Sequence, residues 1–250
     1  MFEDLKPHIQ DLRKRLMISV ATLLVVFLIC FSFWKHIFEW IKAPLAAVFG
    51  THQVDGMLVQ IEPLEGIFVA LKVSFFAALA ISVPVIFWQL WLFVAPGLYK
   101  NEKRVVLPFV FFGTIMFVCG AGFAYYVVFP FTIKYALMFG NEMFAANISA
   151  SSYVTLFTRF VIGFGVAFEL PVLAYFLAKI GLITDQTLKN YFKYAIVVIF
   201  ILAAVITPPD VISQVFMALP LIGLYILSIV IAKVVNPAHK TQKEQDDTEE

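Results

Sequence analysis

Leu16 to Trp34 is a run of 19 residues without one charged side chain. That is about the length an α-helix needs to cross the hydrocarbon core of a bilayer. Similar runs follow at Ile67–Phe93, where Lys72 is the sole charge, and at Val105–Phe129, which has none. Tyr153–Ala178 is a fourth, interrupted by Arg159 and Glu169. From Tyr194 to Ala232 only Asp210 is charged, within Thr207-Pro208-Pro209-Asp210. One helix over those 39 residues would be about 58 Å long, far more than the bilayer core needs. The proline pair breaks it, so the stretch is expected to be a hairpin of two short spans, Tyr191–Ile206 and Val211–Ala232. The expected architecture is therefore an all-α polytopic membrane protein with six transmembrane helices.

Composition agrees. Of the 250 residues, 62% are hydrophobic and only 14% charged, which excludes a soluble enzyme and a disordered chain. The balance of 18 Lys+Arg against 17 Asp+Glu excludes a nucleic-acid binder. Cys30 and Cys119 lie in apolar runs, and His8, His36, His52 and His239 are far apart, so neither a disulfide framework nor a metal or other cofactor site is expected. No cleavage site follows the first run, which reads as a retained span.

Six spans put both termini on one side. That side collects Lys6, Arg13, Lys14, Arg15, Lys100, Lys103, Arg104, Lys179, Lys189, Lys193, Lys233, Lys240 and Lys243; the other holds Lys35, Lys42 and Lys134. The bias places both termini in the cytoplasm. Residues 1–15 then form a cytoplasmic amphipathic segment, 16–232 one membrane domain, and 233–250 a polar tail expected to be disordered. Residues 35–66, broken by Pro44, Gly50, Pro63 and Gly66, are expected to carry short interfacial helices.

Few residues can carry function. Glu169 lies about 15 Å from the cytoplasmic end of span four, with Pro171 two residues on and Gly163 and Gly165 just before. Two readings stand: a polar, water-accessible notch at a kink, or a structural carboxyl that is protonated or hydrogen-bonded to a neighbouring helix. Arg159 is too far along the same helix to pair with it, and snorkelling accounts for both Arg159 and Lys72. Asn101 and Glu102 fit a helix cap and an acid at the positive end of the dipole. Thr207 fits a cap for span six, with Asp210 three residues on. Gln214, one turn into that span, needs a partner. In His8-Ile9-Gln10-Asp11-Leu12-Arg13-Lys14-Arg15-Leu16 the apolar residues share a face, and Asp11 can pair with Arg15.

Five segments, in this order and spacing, resemble the TatC family, the multispanning subunit of the twin-arginine protein translocase. They are the N-terminal motif just quoted, Phe93-Val94-Ala95-Pro96-Gly97-Leu98-Tyr99-Lys100-Asn101-Glu102-Lys103-Arg104, and Phe123-Ala124-Tyr125-Tyr126-Val127-Val128-Phe129-Pro130. Gly165-Val166-Ala167-Phe168-Glu169-Leu170-Pro171 and Thr207-Pro208-Pro209-Asp210-Val211-Ile212-Ser213-Gln214 complete the set. The likeness runs from about His8 to Ala232. It departs at Asp11, where relatives often carry Glu.

The resemblance implies a receptor in the bacterial inner membrane, without enzymatic activity or cofactor. Such a receptor recognises signal peptides with paired arginines and serves export of folded proteins by the proton-motive force. By the same likeness Glu102 and Phe93 belong to the signal-peptide site, and Asp11 and Arg13 to the same cytoplasmic surface. Gln214 is implied in docking the single-span partners TatA and TatB, within an oligomeric complex. Glu169 and Asp210 are grouped with it as polar positions of the spans. A different class, a proton-coupled small-solute transporter centred on Glu169, fits the buried acid but lacks an internal repeat or a second intramembrane acid. An intramembrane protease fits less, since no span offers a Ser–His pair or two aspartates.

Overall fold

A computed structural model describes residues 2–52, 56–94, 106–140, 146–207 and 210–236. The tail beyond 236, Pro208 and Pro209, and the Asn101-Glu102 cap lie outside those residues. The described residues are helical nearly throughout. In order come α1 (Phe2–Ser32), α2 (Trp34–His52), β1 (Gly56–Val59), α3 (Glu65–Val94) and α4 (Val106–Phe123). A π-helical turn (Ala124–Val128) leads into α5 (Phe129–Gly140) and β2 (Ala146–Ser149). Then follow α6 (Ala150–Ala167), α7 (Glu169–Lys179), α8 (Asp185–Asn190), α9 (Phe192–Ile206) and α10 (Val211–Val235).

Among the described residues five helical stretches are long and apolar enough to cross a membrane: Ile9–Ser32, Glu65–Phe93, Pro108–Met138, Ala150–Lys179 and Val211–Val235. Phe192–Ile206 is apolar but has 15 residues, about 22 Å. The expectation of a short hairpin thus holds for its first arm alone. The second arm runs 25 residues, because Pro220 sits inside α10 without ending it.

Other boundaries also moved. No helix breaker separates the amphipathic segment from the first span, so both belong to one helix, α1. The region 35–66 holds one 19-residue helix with Pro44 inside it, not several short ones. It also holds β1, which pairs parallel to β2 with Leu58 opposite Ile148. Pro130 follows the π-turn: it cannot donate to the carbonyl of Tyr126, and the widened turn closes through Phe129 N–H to the Ala124 carbonyl. Pro171 acts likewise on Ala167, and the helix breaks at Phe168 into α6 and α7.

The chain forms two compact units, residues 1–115 with 133–158, and residues 116–132 with 159–250. In the first, α1 packs along α3. Phe157 of α6 meets Trp40 and Phe76 edge-on at 6.2 and 5.6 Å, and the Tyr153 hydroxyl donates to the Ile41 carbonyl at 2.8 Å. Trp91 stacks on Phe109 at 4.5 Å. In the second unit α10 packs on α7, α8 and α9, and Phe123 lies against Phe164 and Phe168. Hydroxyls inside the helices bond back to the carbonyl four residues earlier, as Ser74, Thr132 and Ser228 do, which hides them from lipid.

Candidate functional site

Asp11, Arg13 and Phe93 sit near helix ends of the first unit. Asp11 and Arg13 lie in the third and fourth turns of α1, and Phe93 is one residue from the end of α3. Asp11 accepts from Arg15 Nε at 2.8 Å, the expected i,i+4 pair. Both side chains are partly exposed, so the pair contributes a few tenths of a kcal/mol at most, about 0.5. Arg13 is exposed and about 200° round the helix from Asp11, at about 100° per residue. Asp11 and Arg13 therefore face different directions. Phe93 is half-buried. Glu102, the central residue of the expected site, lies outside the described residues.

The polar positions of the second unit are better defined. Glu169 begins α7, is buried, and its Oε1 has no hydrogen-bond partner among the described residues. Among the described residues no neighbouring helix satisfies this oxygen; a protonated structural carboxyl and a polar notch both fit it.

Around Thr207-Pro208-Pro209-Asp210 the expected cap is corrected. Thr207 turns back, donating its hydroxyl to the Ala203 carbonyl at 2.8 Å, and so ends α9. Asp210 caps α10, accepting from the Ser213 N–H at 2.7 Å. Its oxygen takes one of the four amides a helix start leaves open. Gln214 also has its partner, since Nε2 donates to the Phe200 carbonyl of α9 at 3.0 Å. The two arms of the hairpin are thus tied by one amide. We expect Asp210→Ala to lower stability by about 1 kcal/mol. Unfolding in graded dodecyl sulfate reads this, and an unchanged midpoint would show that the cap contributes nothing.

Lys72 is not simply snorkelling. Its Nζ donates to the Ser151 and Thr155 hydroxyls of α6 at 2.8 and 2.9 Å. Sequence reasoning also missed Glu65, a buried carboxylate at the start of α3. An acid before Gly66, three residues after Glu62, gave only a weak signal. A third missed contact lies in the second unit, where Asp185 pairs with Lys189 at 2.8 Å and the Tyr225 hydroxyl donates to the Leu188 carbonyl at 3.0 Å.

The comparisons with known proteins agree with one another. The family model described as Sec-independent protein translocase protein (TatC) matches residues 7–220. The Sec-independent protein translocase protein TatC of Helicobacter pylori strain J99 is 70% identical over 240 residues, covering 96% of this chain and 93% of that protein. Its namesake from Campylobacter jejuni is 54% identical over 248 residues, covering 99% and 100%. A crystal structure of the twin-arginine translocase receptor TatC superposes with a TM-score of 0.83 at 36% identity, over 91% of this chain and 99% of that one. A family model spanning most of the chain and relatives matched from end to end leave one conclusion: the chain belongs to the TatC family of Sec-independent protein translocase proteins.

Proposed function

We propose that this chain is the receptor and core subunit of a twin-arginine translocation system. It binds twin-arginine signal peptides at its cytoplasmic face and recruits single-span partners of the TatA and TatB kind to export folded proteins, driven by the proton-motive force. The observation that carries this reading is the match in fold and sequence to a solved twin-arginine translocase receptor. The residues supply the chemistry. A carboxylate grips a guanidinium through two parallel hydrogen bonds, which an ammonium cannot reproduce. The Glu102 carboxylate holds one arginine of the peptide in this reading. The ring face of Phe93 offers a cation–π contact to the second. Asp11 serves by exchange, giving up its partly exposed Arg15 for an incoming guanidinium.

In this reading both termini are cytoplasmic, with six spans counting α9. A span of 15 residues leaves the bilayer to thin or partner helices to cover it. The hairpin of α9 and α10 near Gln214 is therefore the proposed partner contact, with the unpartnered Glu169 carboxyl keeping its neighbourhood polar. A transporter centred on Glu169 would need no protein partners, and membership of a translocase family removes its ground.

A photoreactive residue at Phe93 is expected to label a signal peptide with paired arginines. A peptide with paired lysines should be labelled far less. Equal labelling of the two would overturn the receptor reading. Cysteines along α9 and α10 should crosslink to a single-span partner that co-purifies from native membranes; crosslinks confined to α1 would refute the proposed docking face.

A further inference from the structure

Glu65 opens α3 at 3% exposure, and its carboxylate is filled by four donors. Oε2 accepts from the backbone N–H of Ile61 at 2.6 Å and of Glu62 at 3.2 Å. Oε1 accepts from the Ser149 hydroxyl and from the Ser151 N–H at 2.7 Å. The Gln60 side-chain amide donates to the Glu62 and Pro63 carbonyls at 3.1 and 2.9 Å. The turn at 60–64 is therefore bound internally and also to the start of α6. Only an acceptor on both sides suits that arrangement. An amide in place of the carboxylate turns an NH2 either on the Ile61 and Glu62 N–H pair or on the Ser151 N–H, leaving donors face to face.

What this turn displays is apolar. Ile61 is 68% and Leu64 58% exposed. Leu64, Phe68, Leu71 and Phe75 recur at helical spacing, all exposed, so Leu64 continues the exposed apolar stripe of α3. Glu62 beside them is exposed too.

We propose that the turn of residues 60–64 is a foot resting in the bilayer interface, with Ile61 and Leu64 seated among lipid chains, and that the Glu65 carboxylate holds it in that shape. The occupant is lipid, because the turn prolongs a face that already belongs to a membrane-crossing helix. This holds whether or not the chain receives signal peptides.

Nitroxide labels at Ile61→Cys and Leu64→Cys test it, in the full chain carrying Cys30→Ala and Cys119→Ala, in vesicles of phosphatidylethanolamine and phosphatidylglycerol. Collision with oxygen should be favoured over collision with a water-soluble nickel chelate, several-fold more than for a label at Gln186→Cys in the exposed part of α8. Nickel-favoured collision at both sites overturns the foot. Dipolar broadening between chains also overturns it, since the occupant would then be a second copy. Adding Glu65→Gln should sharpen the Ile61 spectrum and lower its oxygen preference; an unchanged spectrum removes the carboxylate from the account. Should that variant fail to assemble, Ser149→Ala removes one donor and should shift the spectrum the same way by less, and no shift there has the same meaning.

Discussion

Glu102→Gln is expected to weaken binding of a twin-arginine signal peptide at least about tenfold, and toward about a hundredfold, with the membrane fold intact. The size follows from what the substitution removes. A hydrogen bond to a charged group contributes about 1.5–3 kcal/mol net, and each 1.4 kcal/mol is tenfold in affinity. Glutamine keeps the shape and one acceptor but loses the charge and the second parallel bond to guanidinium. Glu102→Asp should fall between the two, since it keeps the charge and shortens the reach. Crosslinking a labelled signal peptide to each variant measures the effect. Yields for Glu102→Gln matching the native chain would sink the site. An effect equally large for a peptide with paired lysines would show a charge patch, not arginine recognition.

Legibility differed by the range of the interaction. The spans were readable because a bilayer selects long apolar runs with few charges, and those runs fall close to the helices found. The π-turn and the break at Phe168 each sit beside a proline visible in the sequence, so the irregularity was readable even though its form was not. Thr207 and Asp210 both suit an N-cap, and local pattern does not choose between them. The geometry does: Thr207 is used up ending α9, leaving Asp210 to start α10. Glu65 was missed for a different reason. Two of its donors come from residues 84 and 86 positions away, brought close by the pairing of strands four residues long. Nothing periodic marks such a contact. The receptor residues are the converse case: Glu102 and Phe93 stood out by resemblance, and their chemistry rather than their contacts supports the role.

The largest stability effect is expected at Gly120. A Cβ built there would lie 2.5 Å from the Phe164 carbonyl oxygen and 2.8 and 2.9 Å from Cγ and Cβ of Phe168. The oxygen is backbone and the Phe168 atoms are the stem of the side chain, so neither can swing aside. Gly120→Ala must push α4 from α6 at a crossing where a small residue lets the backbones meet. Overpacking of that kind costs about 1–3 kcal/mol. Gly163→Ala is the control, a glycine of α6 that faces α9 and α10 instead of α4. Its nearest neighbours are the ends of flexible chains, Ile206 Cδ1 at 2.8 Å and Met217 Cε at 3.4 Å. They can rotate away, and alanine's better helix propensity, about 1 kcal/mol, offsets what strain remains. Gly165→Ala falls between, because it meets the Phe117 ring at 2.6 Å, a rigid body that moves only as a whole. Unfolding in graded dodecyl sulfate should rank the variants Gly120, Gly165, Gly163 from worst to mildest. If Gly163→Ala proves as damaging as Gly120→Ala, what decides is the loss of glycine itself, and the close approach of Gly120 to the Phe164 carbonyl is not what holds this crossing together.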